Sequence, residues 1–81
     1  MTSDATFEKV RAIITEVLKV DSSVVTNELA IGDIPEWDSV ANVKVLQALE
    51  DAFSIEIDVL DALDAEDVFD FVSLIKKYLQ S

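Results

Sequence analysis

Trp37-Asp38-Ser39-Val40 is the segment of this chain best suited to chemistry. Aspartate is a preferred N-cap residue, so Asp38 can open a helix and place Ser39 in its first turn, exposed and anchored. Backbone N–H groups at a helix start favour phosphate. The hydroxyl therefore suits covalent attachment of a phosphate-bearing arm. Taken alone, the same pair is also an ordinary helix start, and the flanking sequence must decide. The chain has no histidine and no cysteine. Their absence removes the usual general base, the thiolate nucleophile, the usual zinc ligands and any disulfide. Only carboxylates, Lys and Tyr remain for proton transfer, and no His is available to activate Ser39 as a nucleophile. Autonomous catalysis is not expected, and neither is a metal site.

Position depends on the elements around that serine. With 81 residues, 51% of them apolar, and a single Gly and a single Pro, the chain has the composition of a compact helical protein. It is too poor in turn residues for a β architecture. Phe7, Val10, Ile13, Ile14, Val17 and Leu18 recur at three- and four-residue intervals, which predicts a first helix capped near Ser3 and ending near Val20. Asp21 to Trp37 reads as a long loop with one short helical turn, pinned by Val24, Val25, Leu29, Ile31 and Ile34. A second helix is expected over 39–53, with Val43, Leu46, Leu49 and Phe53 inward and a small, smooth outer face of Ala41, Lys44, Ala48 and Asp51. Ser54 follows where a Gly would make the better left-handed cap.

Asp58, Asp61, Asp64, Asp67 and Asp70 stand at strict three-residue spacing. On one continuous helix they would sweep around the axis. A break is expected instead, with a short helix at 59–64 and Asp67 capping a last helix at 68–79. Val68, Phe71, Val72, Ile75, Tyr78 and Leu79 form the apolar face of that last helix, and Lys76 and Lys77 suit its C-terminal dipole. A calcium loop is disfavoured, because no Gly sits at the turn position and no Glu closes a twelve-residue loop. The fold class is all-α: a small four-helix bundle of three longer helices and a short third one, with a long loop between the first two, in one free-standing domain over 1–81.

The formal charge of −11 lies in the middle. Residues 21–70 hold fourteen acids and one base, Lys44, whereas residues 1–20 are balanced and 71–81 carry two lysines. Such a surface repels nucleic acid and anionic lipid and attracts basic protein patches. No apolar run approaches a membrane span, and the start of the chain lacks a signal-peptide layout. A cytoplasmic monomer without membrane insertion is expected.

Three stretches of the sequence, Pro35-Glu36-Trp37-Asp38-Ser39-Val40, Leu49-Glu50-Asp51-Ala52-Phe53-Ser54-Ile55-Glu56-Ile57 and Asp67-Val68, resemble the acyl carrier proteins. The middle stretch is similar to that family's Leu-Glu-Glu-x-Phe-Gly-Ile-x-Ile segment. The resemblance spans nearly the whole chain. It implies that Ser39 is esterified by 4'-phosphopantetheine, transferred from coenzyme A by a separate magnesium-dependent phosphopantetheinyl transferase. Asp38 would engage that enzyme and its metal. The arm's thiol would hold acyl groups as thioesters for acyl-loading and acyl-processing enzymes, which makes the chain a substrate of other enzymes rather than an enzyme.

Family docking surfaces map onto Asp38, Val40, Glu50, Asp51 and Glu56, with Ala41, Lys44 and Gln47 beside them on the second helix. Ala41 and Lys44 stand where fatty-acid carriers are commonly acidic, Gln47 where they are apolar, Val40 where they have Leu, and Trp37 where many have a small residue. A hydrophobic staple does not explain Trp37, since its N4 partner would be the polar Asn42. These departures point to a dedicated carrier of a secondary-metabolic or cell-envelope pathway. An aminoacyl, peptidyl or D-alanyl carrier of the same chemistry is one alternative, and an unmodified helical adaptor is another. The crowded carboxylates from Glu56 to Asp70 should repel one another, so magnesium or salt is expected to raise the melting temperature. A flat magnesium titration would remove that expectation.

Overall fold

The computed structural model describes residues 5–80; Ser3, the expected first cap, lies outside them. Helix α1 spans Ala5–Leu18, a 3-10 turn Ser22–Val24, α2 Ser39–Phe53, α3 Val59–Asp64 and α4 Val68–Leu79. The expected bounds of the last three helices are met. They are fixed by local chemistry: the Asp38, Asp58 and Asp67 carboxylates each accept a backbone N–H in the first turn that follows.

Helix α1 buries Val10, Ile14 and Leu18, one residue per turn, and packs against both α2 and α4. Helix α4 buries Val68, Phe71, Val72, Leu74 and Ile75. Helix α2 differs from expectation. Its core stripe runs in four-residue steps through Ala41, Val45, Leu49 and Phe53, with Val45 and Leu49 fully buried and the other two packed against the core. Val43 is 54% exposed. The expected assignment of Val43 to the core and Ala41 to the outer face is therefore corrected. The helix carries two apolar stripes, and the hydrophobic pattern alone does not say which one meets α1.

The loop between α1 and α2 is zipped onto the turn before α4. Ile31 N–H donates to the Glu66 carbonyl at 2.9 Å, Val68 N–H to Leu29 at 2.9 Å and Phe69 N–H to Asn27 at 3.1 Å. Ala30 and Asp67 thereby form one isolated antiparallel bridge. Buried Val25 and Leu29 and partly buried Ile31 and Ile34 anchor the loop as expected, whereas Val24 is exposed. At the loop tip Gly32 adopts φ 92°, a region that favours glycine. Its N–H donates to the Trp37 carbonyl at 2.8 Å. Asp21 caps the 3-10 turn, and its carboxyl titrates below the ordinary value because it accepts the Ser23 backbone N–H.

Both α1 and α2 end in a left-handed residue that is not glycine. Lys19 has φ 58° and Ser54 φ 55°. Val20 N–H reaches back to the Thr15 carbonyl, and Ile55 N–H to Glu50, the six-to-one bond of a Schellman ending. The helix thus stops at Leu18, before the expected Val20. A side chain in this conformation is strained. Lys19→Gly and Ser54→Gly should each stabilise the fold by about 0.5–1 kcal/mol, a rise of a few degrees in Tm for a domain of this size. Thermal unfolding of the two variants tests this, and a fall in Tm would contradict it.

Candidate functional site

Trp37 fixes the start of α2. Its side chain is 0% exposed, tilted against Phe71 with ring centroids 6.0 Å apart, and its indole N–H donates to Asn42 Oδ1 at 3.0 Å. Trp37 and Asn42 stand at N′ and N4, the positions of a hydrophobic staple. The polar Asn42 closes the staple with a hydrogen bond instead. Next in the chain, Asp38 Oδ1 accepts from Ala41 N–H at 2.8 Å, and Asn42 N–H donates to the Asp38 carbonyl at 2.9 Å. Ser39 follows as the first residue of α2, exposed. Helix geometry gives the N–H groups of Ser39 and Val40 no intrahelical carbonyl, so they are suited to an anion at that hydroxyl.

The second apolar stripe of α2 begins at Ser39 itself. Ser39, Val43, Leu46, Gln47 and Glu50 lie at intervals of four, three, one and three residues, on one face. They line one wall of a half-open cleft of about 520 Å³. Ile57, Val59, Ala62 and Leu63 line the other. The volume lies within the range of small-molecule sites, and the walls are mainly apolar. The cleft thus runs from the serine hydroxyl into the gap between α2 and α3.

The far wall is lightly packed. Helix α3 has no fully buried residue, and Leu60 and Leu63 are each 73% exposed. Polar ties place it. Glu50 Oε2 accepts from Ile57 N–H at 2.7 Å. The Tyr78 hydroxyl donates to Asp61 Oδ2 at 2.7 Å and accepts from Asp58 N–H at 2.8 Å. The bond to the Asp61 carboxylate raises the Tyr78 phenol above its ordinary value, because losing its proton would leave two anions face to face. Asp70 accepts from Glu66 N–H at 3.0 Å, just ahead of the Asp67 cap. Four of the five evenly spaced aspartates are thus hydrogen-bond acceptors that build local structure.

Of the residues considered for docking, Asp38, Val40, Lys44, Gln47, Asp51 and Glu56 are exposed. Ala41 packs against the core and Glu50 is turned to the Ile57 amide. Asn42 and Tyr78 were missed as site residues. Asn42 had a findable signal, its N4 position relative to Trp37; Tyr78 had none at short range. Among the described residues no group of three or more carboxylates is disposed to hold a metal ion. None of the described helices is long and apolar enough to cross a membrane.

The site is thus an exposed serine at the head of a helix, beside a mainly apolar cleft. An acyl carrier protein of Campylobacter jejuni is 37% identical over 76 residues, 90% of this chain and 99% of its own length. Its counterpart in a second strain of that species is 36% identical over the same span. The solution structure of the holo acyl carrier protein of Geobacter metallireducens matches with a TM-score of 0.84 at 27% identity, covering 95% of this chain and 88% of that one. No protein-family model matches the chain. The chain belongs to the acyl carrier protein family. Asn42→Ala should cost about 1–3 kcal/mol, because it leaves the buried Trp37 N–H without an acceptor. Denaturant unfolding checks this, and a variant as stable as its parent would show that the bond contributes nothing.

Proposed function

We propose that Ser39 bears a 4'-phosphopantetheine arm and that the chain carries acyl groups on it for partner enzymes. The observation that carries this reading is the exposed Ser39 hydroxyl in the first turn of α2, at the mouth of an apolar cleft, in a member of the acyl carrier family. The residues present fit the group. The first-turn N–H groups favour its phosphate, and Val43, Leu46 and Leu63 offer apolar surface to a cargo. When bound, the arm supplies a thiol that holds the cargo as a thioester. Asp38 serves twice: one oxygen caps α2, and its exposed carboxylate is what an approaching phosphopantetheinyl transferase and its magnesium would meet.

Partners are enzymes with basic patches, drawn to the acidic surface around Asp38, Asp51 and Glu56. The carrier acts in the cytoplasm as a monomer. Lys44, in the middle of α2 and exposed, would penalise partners shaped for an all-acidic helix. That charge supports a dedicated secondary-metabolic or cell-envelope pathway. Incubation with coenzyme A, magnesium and a broad transferase should add one phosphopantetheine by mass, and Ser39→Ala should abolish it. An unmodified chain, under conditions that modify a control carrier, would sink the proposal in favour of an adaptor. General fatty-acid enzymes should then load the modified chain more slowly than their own carrier; equal rates would remove the dedicated pathway.

A further inference from the structure

Helix α3 has its cleft wall and its anchor on opposite faces. Val59 and Leu63 line the cleft. Asp61 is two residues from each, roughly 160° around the helix axis, and is held from that far side by Tyr78 of α4. Buried Ile57 and Ala65 flank the two ends of α3. Between them Ala62 packs against the core, and the far face is tied by the two bonds to the Tyr78 hydroxyl, with a 3.9 Å pair between Asp61 and the exposed Lys77 beside them. That pair is exposed and weak. Across the cleft, Val43 and Leu46 face Val59 and Leu63, and apolar walls of this kind gain by closing on each other. A tie on the far face opposes that closure.

We propose that Tyr78 is a positioning residue that holds the cleft open by anchoring α3 from behind, and so sets how much of an apolar chain the cleft takes up. The functional meaning rests on the reading of Ser39 as the cargo site. The opening itself is a property of the chain without any arm.

The unmodified chain therefore serves for the test, with hydrogen exchange of the residue 59–64 amides and uptake of the neutral apolar dye Nile red as readouts. Tyr78→Phe should speed exchange in α3 about tenfold relative to α1 and lower dye uptake. Asp61→Leu should do the same, whereas Asp61→Asn, which keeps an acceptor, should stay near the parent in both. Equal or greater uptake in Tyr78→Phe would overturn the proposal. So would exchange rising evenly across α1 and α3, or Asp61→Asn behaving as Asp61→Leu. The mass of the transferase-treated parent is read alongside: an unmodified parent would strike the Ser39 reading while leaving the exchange and dye results to judge Tyr78.

Discussion

The burial of Trp37 is the constraint on which the site depends. A fully buried indole must place its N–H on an acceptor, and the one it reaches is Asn42, one turn into α2. Its carbonyl accepts the Gly32 amide at the loop tip, and its ring leans on Phe71 of α4. One residue therefore joins the loop, the start of α2 and the last helix. Asp38 and Ser39 follow it directly, so their position is inherited from a core residue rather than from a mobile loop. The serine can then be exposed and still be held in place.

Much of the fold was legible because its signals are local. Asp38, Asp58 and Asp67 act within three residues of themselves, and the helix bounds they set follow from side-chain type alone. Ser54 in the left-handed region is legible for the same reason, since it follows the helix at the position where a Gly makes the better cap. The failures are those that need a third dimension. Helix α2 carries apolar residues on more than one face, and only its neighbours tell buried Val45 from exposed Val43, while Leu46 packs against the core and also lines the cleft. The Ala30–Asp67 bridge joins backbone groups far apart in sequence and carries no side-chain signature. Lys19 gives no composition cue to its left-handed turn. At the site, Asp38 as cap and Ser39 as the first helical residue follow from local signals, while the Trp37–Asn42 bond escapes a staple rule that counts only apolar partners.

The acidic middle of the chain divides into two populations. Asp58, Asp61, Asp67 and Asp70 spend their carboxylates on N–H and O–H donors within the bundle. Glu50 does likewise toward Ile57. Each such acceptor replaces a contact that a thin core cannot supply, since a domain this small buries only somewhat more than about 60% of its unfolded surface. Asp51 and Glu56 are exposed and remain to shape the outer field. Charge count therefore overstates the surface available for recognition, because part of it is structural.

That division bears on why α3 is built as it is. A wall packed by buried side chains would stand still, since close-packed interiors resist small displacements. Helix α3 instead leaves Leu60 and Leu63 largely exposed and takes its position from hydrogen bonds at its margins. Most of its leucine surface is already in water, so polar contacts and the packing of Ala62 hold it in place. The core runs from Val10 and Ile14 across to Val45, Leu49 and Phe71, and meets the cleft at Ile57 and Leu46. The wall beside Ser39 is thus the lightly packed one, while the Trp37 junction that positions the serine is fully buried.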